Sequence, residues 1–324
     1  MEIGTQRTTH NAQRKDFGRI GVLMGGPSAE REISLKSGKA VYAALKGLGL
    51  DAVGIDIATA DEQKAEVLLR SQNISCAFIA LHGCFGEDGT IQRILEALKV
   101  PYTGSGVSAS MRAMDKVESR QIFQRCGLHV PRYEVIKKAD VMQEGGVVHS
   151  GLLPPLVVKP VSCGSSIGLS IIENEIMLAK AIQDALAFDE RAIVEEYIRG
   201  RELTVGILNE TALPVIEIVP KKGFFDYEAK YQAGMTDYIV PAELDERIAS
   251  CVRKDALSAH QALGCSGCSR ADIILRSDNT PCILEINTIP GFTSTSLLPK
   301  AAKSAGIEFG QLCLELLRLA YEKK

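Results

Sequence analysis

Along the first hundred residues, short apolar runs alternate with longer amphipathic ones. Arg19 to Met24 reads as a strand, Gly25-Gly26-Pro27-Ser28 as a turn, and Glu30 to Leu48 as a helix with Ile33, Val41, Ala44, Leu45 and Leu48 on one face. Further strand signals follow at Ala52 to Ile55, at Cys76 to Leu81 ahead of a helix over Gln92 to Leu98, and at Pro101 to Tyr102. This alternation predicts an α/β unit built on parallel strands. Later segments behave differently. Leu156 to Val158, Leu169 to Ile172 and Ala192 to Tyr197 read as strands, and Ser269 to Leu275 and Pro281 to Asn287 alternate apolar with polar residues.

The last two runs are separated by Arg276-Ser277-Asp278-Asn279-Thr280, whose Asp-Asn pair is a turn signal. A turn centred on Asp278-Asn279 pairs Asp272 with Glu285 and Arg270 with Asn287. Side chains alternate with period two, so these four share one face, while Ile273, Leu275, Leu284 and Ile286 take the other. Two carboxylates and an amide on one face offer oxygen ligands to a hard divalent cation, Mg²⁺ above all. Four aligned groups favour this over a sheet face laced with salt bridges. The following loop, Thr288 to Ser296, sets hydroxyls around Gly291 and suits an anion.

Length and composition narrow the class. A chain of 324 residues with 46% hydrophobic content is expected to form two or three packed domains. The net charge of −3 gives no sign of nucleic-acid binding, and no apolar run reaches the length of a membrane span. The segment up to Lys15 is polar, lacks the apolar centre of a signal peptide, and is expected to be a disordered tail. Nine dispersed cysteines, mostly in apolar runs, fit reduced thiols in a cytoplasm. Cys265-x-x-Cys268 lacks a second pair at zinc-ligand spacing and reads as packing.

Other motifs lie at strand ends, where open α/β sheets bind ligands. Gly25-Gly26-Pro27-Ser28 lacks the third glycine of a dinucleotide fingerprint, and its helix opens on Ala29-Glu30, which suits an amino group. His82-Gly83 to Gly89 follows another apolar strand, and its histidine reads equally as structural or functional. Lys159-Pro160 and the small-residue loop Ser162 to Gly168 sit between two strands, which makes a flap rather than a P-loop. A plain surface hairpin remains compatible with this loop. Glu195 and Glu196 are suited to an adenine amino group or ribose hydroxyls, and equally to solvent. Lys221 to Pro241 is long, aromatic and without clear periodicity, and reads as a lid.

Seven ordered motifs then carry a resemblance. They are Gly25-Gly26 through Ser34, His82-Gly83 with Glu87 to Thr90, Tyr102 to Ser105, Met114-Asp115-Lys116, Lys159-Pro160 with Gly164-Ser165-Ser166 and Gly168, Glu228 to Tyr231, and Glu285-x-Asn287-Thr288 with Pro290-Gly291. Together they resemble the D-alanine–D-alanine ligase family of the ATP-grasp superfamily, from Arg19 to Leu317. The resemblance implies an α/β ATP-grasp fold in three domains. These are an N-terminal parallel α/β domain (17–113, after the tail 1–16), a central antiparallel flap domain (114–200), and a C-terminal antiparallel sheet with helices (201–324) that includes the lid 221–241. ATP would lie between the last two.

It further implies that ATP phosphorylates one D-alanine and that the amine of a second attacks the acyl phosphate, for peptidoglycan precursor synthesis in the cytoplasm. Glu30 and His82 would hold the first substrate, with Ser165 and Tyr231 latching onto Glu30. Lys116, Lys159, Ser165, Ser166 and Lys230 would face the phosphates, and Glu195, Tyr197, Ile198 and Glu202 the adenosine. Asp272, Glu285 and Asn287 match ligands of two Mg²⁺ ions, with Mn²⁺ as a substitute. Arg270 and the Gly291 N–H would receive the oxyanion, and Ser296 with Leu297 the second carboxylate. A homodimer is also implied. One departure is Cys163 in the flap, where relatives often carry an acid; Tyr231 argues for an amine nucleophile. Another ATP-grasp ligase, a non-catalytic nucleotide-binding regulator and a dinucleotide-dependent dehydrogenase are the competing classes.

Overall fold

The computed structural model describes residues 17–143, 150–221 and 236–322. It begins with a strand β1 (Ile20–Gly25) in which every residue is buried, flanked by β2 (Ala52–Ile57) and β3 (Cys76–Ile79) in a parallel sheet of order β2-β1-β3. Tyr102 adds a parallel bridge to Ala77. Alternate residues of β1 divide between two layers. Ile20, Val22 and Met24 meet Val41 and Leu45 of α1 (Arg31–Gly47), while Leu23 faces Ala65 and Leu69 of α2 (Glu62–Ser71) and Ile91 and Leu95 of α3 (Thr90–Ala97). Helix α1 lies close on the sheet because Gly38 has no side chain: a Cβ there would stand 2.4 Å from Met24 Cβ.

The second sheet is antiparallel, of order β4-β7-β5-β6: β4 (Tyr133–Lys137), β5 (Leu156–Pro160), β6 (Ser170–Ile172) and β7 (Arg191–Glu196). The expected flap, 162–168, joins β5 to β6, which pair through Val158↔Ser170. Helix α7 (Leu178–Leu186), which follows α6 (Lys138–Gln143), seals this sheet with Leu178, Ile182 and Ala185 on Leu156, Val158 and Val194.

The third sheet runs β11-β10-β8-β12-β13: β8 (Gly200–Leu208), β10 (Ile216–Pro220), β11 (Thr236–Ile239), β12 (Cys268–Arg276) and β13 (Pro281–Asn287), with β9 (Thr211–Ala212) beside β8. One face packs on α8 (Glu246–Leu263), capped by Asp245 and ended by left-handed Gly264, and on α4 (Val107–Met114) and α5 (Lys116–Arg125). The helices 107–125 therefore belong to the core of the third sheet although the second sheet follows them in sequence. The opposite face meets α9 (Leu297–Ser304) and α10 (Phe309–Glu322), which also close the first sheet; Phe78 and Phe292 stack edge-on at 5.3 Å in this shared core.

Two expectations change. Of the segment 221–241, residues 222–235 lie outside the described residues, but Thr236–Ile239 forms β11 rather than loop, paired with β10 through Ile218↔Tyr238. Thr, Tyr and Ile suit a pleated surface, and β10 presents an edge for them to pair with. The second change concerns the β12–β13 hairpin. Its turn has three residues, Ser277 to Asn279, with Asn279 left-handed at φ 64° and Arg276 N–H donating to the Thr280 carbonyl. The register at the tip is thus one residue off, Leu275↔Pro281, and a bulge between Asp272 and Ile273 restores Asp272↔Glu285 and Arg270↔Asn287. The extra residue is Leu284. It turns from the expected core face to line the cleft, and Ile283 enters the core in its place.

Candidate active site

Two cavities meet between the three sheets. The first, about 370 Å³, lies between the second and third sheets under the flap. The second, about 600 Å³, opens between the first and third. They share Lys116, Gly164, Ser165 and Glu285, so the flap and the hairpin form their common wall.

The hairpin supplies Asp272 and Glu285, which line the first cavity, and Glu285 and Asn287, which line the second. Arg270 forks onto Asp272 at 2.8 Å and 2.6 Å, and Thr204 of β8 donates to the same carboxylate at 2.8 Å. Asn287 Oδ1 accepts the Ile289 N–H at 2.9 Å. All the donors are hard oxygens, which fits Mg²⁺ and not a thiolate-loving ion. A cation here would share Asp272 with the Arg270 guanidinium. Among the described residues no group of three or more His, Cys, Asp or Glu side chains could hold a metal alone, so the amide and non-protein oxygens must complete the shell.

The first cavity is basic at its inner end. Lys116 opens α5 beside the N-cap Asp115, is buried, donates to the Cys163 carbonyl at 2.6 Å, and stands 3.7 Å from Glu285. Lys159, next to last in β5, is buried against Glu195 at 2.8 Å; burial pulls its ammonium below the usual lysine range, against the pull of that carboxylate. Glu195 also meets the wholly buried Arg120. Burial alone would raise the Glu195 carboxyl, but the Arg120 and Lys159 charges outweigh it and hold it below the usual range. Glu195 thus lines the cavity while engaged by Lys159 and Arg120, whereas Tyr197, Ile198 and Glu202 form the outer end. Glu196 also lines this cavity and pairs with Arg132 and Arg276.

The flap reaches across to the first sheet. Ser165 and Ser166 are left-handed, at φ 51° and 57°, and Ser165 Oγ donates to Glu30 at the start of α1. Gly164 permits this approach, since a Cβ there would lie 3.3 Å from Glu30 Oε2. Glu30 is buried, at 8% exposure, and shares the second cavity with His82, Arg270, Gly291, Ser296 and Leu297. His82 Nε2 lies 3.0 Å from Ser37 Oγ, and its Nδ1 lies 3.5 Å from Glu87. Burial pushes the Glu87 carboxyl up to about 7, and the nearby Glu30 adds to this while His82 and Arg270 oppose it. Ser296 stands at the N-cap position of α9 without a side-chain capping bond, and its hydroxyl meets Thr293 Oγ1 at 2.8 Å; one turn on, Lys300 sits 3.9 Å over the ring of Tyr238, which lines the cavity.

The two cavities bring together every candidate residue within the described segments. Lys230 and Tyr231 lie outside them. Sequence reasoning missed Arg120, Ser37, Thr204 and Tyr238. Arg120 did leave a signal: its spacing from Val117 and Phe123 puts an arginine on the apolar face of α5. Ser37 left none, because its partners come from residues 45 and 255 positions away.

The D-ala D-ala ligase C-terminus family model matches residues 122–318, and the D-ala D-ala ligase N-terminus model matches 56–105. A D-alanine–D-alanine ligase of Pelotomaculum thermopropionicum is 47% identical over 94% of this chain and 97% of its own. That of Geotalea uraniireducens is also 47% identical, over 93% and 95%. Among solved structures, the Bacillus anthracis D-alanine–D-alanine ligase complexed with ATP superposes with TM-score 0.79 at 32% identity, covering 94% and 97%. The VanG D-Ala:D-Ser ligase of Enterococcus faecalis gives 0.80 at 31%, covering 93% and 99%. With identity this high over almost the whole length, on a fold whose cavities gather the motif residues, the chain belongs to the D-alanine–D-alanine ligase family.

Proposed function

We propose that this protein joins two D-alanines into D-alanyl-D-alanine, cleaving ATP to ADP and phosphate, as a cytoplasmic step toward peptidoglycan precursors. One observation carries this reading. The basic cavity and the Glu30 cavity meet at Lys116, Ser165 and Glu285, so a phosphoryl donor in one can reach a carboxylate in the other.

The chemistry follows from the residue types. Glu30 takes the ammonium of the first D-alanine, beside His82, and turns its carboxylate toward the shared wall. Lys116 and Lys159 face the phosphates, with Ser165 and Ser166 covering them and Lys230 matching a third cation. Glu195 steadies Lys159, while Tyr197, Ile198 and Glu202 take the adenosine. Asp272, Glu285 and Asn287 would hold Mg²⁺, as two ions with Mn²⁺ as a substitute, which offsets the repulsion between carboxylate and triphosphate when bound. The second D-alanine docks its carboxylate at Ser296 and Leu297, and its amine attacks the acyl phosphate. Arg270 and the Gly291 N–H then receive the oxyanion. Water must be kept out or the acyl phosphate hydrolyses; the Ser165–Glu30 contact, with Tyr231 of the segment 221–241, serves that closure. The units 17–113, 114–200 and 201–324 would then hold substrate, flap and metal respectively, in a homodimer.

The test is phosphate release with ATP and Mg²⁺, offering D-alanine, D-alanine with D-serine, D-alanine with D-lactate, and L-alanine, with products identified by mass. D-alanyl-D-alanine from D-alanine alone is the expected result. A preference for the mixed D-serine product would move the reading toward the VanG-like specificity, and no turnover on any D-amino acid would sink it.

A further inference from the structure

A buried chain of hydrogen bonds joins the first sheet to the loop that carries Gly291. The Phe292 N–H donates to Ser37 Oγ at 3.1 Å, Ser37 Oγ lies 3.0 Å from His82 Nε2, and His82 Nδ1 lies 3.5 Å from Glu87 Oε1. Ser37 is wholly buried on α1, and Phe292 and His82 are 3% and 4% exposed. The serine hydroxyl has one hydrogen. Its oxygen accepts from the Phe292 N–H and the same hydroxyl shares a hydrogen bond with His82 Nε2, the ring tautomer setting which of the two donates. Where the hydroxyl donates, the imidazole carries its proton on Nδ1 and directs it at Glu87. Amide N–H, hydroxyl, imidazole and carboxyl thus form one buried line of contacts.

Its far end matters because the Phe292 amide is the peptide unit next to the one that carries the Gly291 N–H. Fixing the first plane restricts the rotation available to the second. Phe292 is held from the other side by Phe78 and Phe309, with ring centroids at 5.3 Å and 5.7 Å, so the loop is clamped between aromatic packing and this chain. Gly291 and Arg270 line the same cavity.

We propose that Ser37 is a positioning residue for acyl transfer. Through His82 and Glu87 it anchors the Phe292 amide and so orients the Gly291 N–H toward the developing oxyanion. This rests on the ligase reading above. Ser37 lines the second cavity but is wholly buried and acts through the groups it holds, so its effect falls on the transition state rather than on binding of D-alanine or ATP.

The experiment compares the native protein with Ser37→Ala, Glu87→Leu and Glu87→Gln. For each, kcat, the KM values for ATP and D-alanine, the thermal midpoint, and the affinity of a phosphinate dipeptide analogue are measured. The tetrahedral phosphorus of the analogue stands in for the intermediate. Ser37→Ala is expected to lower kcat by about tenfold to a hundredfold, with KM values within about threefold and analogue affinity falling in step with kcat. Glu87→Leu should show the same split, and Glu87→Gln, which keeps an acceptor oxygen, should recover much of the loss. Should Ser37→Ala fail to fold, the two Glu87 variants decide alone. Unchanged kcat, or losses that follow the thermal midpoint with no selective loss of analogue affinity, would overturn the proposal while leaving the ligase reading intact. A native protein that makes no dipeptide from D-alanine would overturn both.

Discussion

The β12–β13 hairpin and the Glu30 cavity lie side by side, yet they are built by different means. The hairpin brings Arg270, Asp272, Glu285 and Asn287 onto one cleft by register alone, within a span of eighteen residues. The cavity takes Glu30 from the start of α1, Ser165 from a flap 135 positions away, and the Phe292 amide from 255 positions beyond Ser37. A local site is carried by backbone pairing and survives the loss of one side chain. An assembled site depends on each long-range contact, so its substitutions should mix folding and function.

The largest expected effect tests the local side. Asp272→Asn or Glu285→Gln should lower turnover by roughly 10⁴-fold, about 5 kcal/mol, while leaving the thermal midpoint within a few degrees; a chelator should do the same reversibly. Collapse of the fold in either variant, seen by circular dichroism, would break the contrast. Next comes Arg120→Met, which leaves Glu195 buried with Lys159 alone. It should cost about 3–5 kcal/mol in denaturant unfolding, and a cost under about 1 kcal/mol would mean that the buried pair is not a structural keystone.

Glu87 sharpens the comparison through pH. Its folded carboxyl titrates near 7, above the ordinary value of 4.5, because of burial. Between those values the folded state holds a proton that the unfolded state has released, so stability from this group is greatest in acid and falls as pH rises through that window. The full swing is about 3 kcal/mol. Glu87→Gln should therefore gain little stability near pH 4.5 and most of that amount above pH 7 in unfolding titrations. A pH-independent gain would remove the explanation. Ser165→Ala loses a charge-assisted contact to Glu30 and should raise the KM for D-alanine by about tenfold, with ATP affinity in the absence of D-alanine unaltered. The smallest effect is expected at Lys300→Met. Losing its contact with Tyr238 should change the KM for the second D-alanine by less than about fivefold, since a partly exposed cation–π contact contributes about 0.5–1 kcal/mol.

Period and turn chemistry made much of the fold legible. The first strand, its helix and the pairing of Asp272 with Glu285 all follow from local pattern. The placing of Leu284 did not, because a three-residue turn and a compensating bulge leave the functional pairs in register while exchanging two apolar neighbours. Strand β11 escaped for a different reason: a four-residue run carries too little periodicity to stand out until β10 offers it a partner. The domain bounds divide the helices 107–125 between the first and central units, and their apolar faces pack on a sheet formed later in the chain.

What the sequence by itself determined is the set of chemical groups and those relations that lie within a few residues of one another. Alternation and turn residues decide which side chains share a face, since strand geometry repeats every two residues wherever the strand sits. Only the tertiary structure decided which faces meet. The Ser165–Glu30 contact, the Arg120–Glu195–Lys159 cluster and the path from Glu87 to Phe292 each join elements whose separation along the chain carries no geometric information. They exist because three sheets bury their apolar faces against shared helices, and that packing leaves the polar ends of different elements pointing into one space.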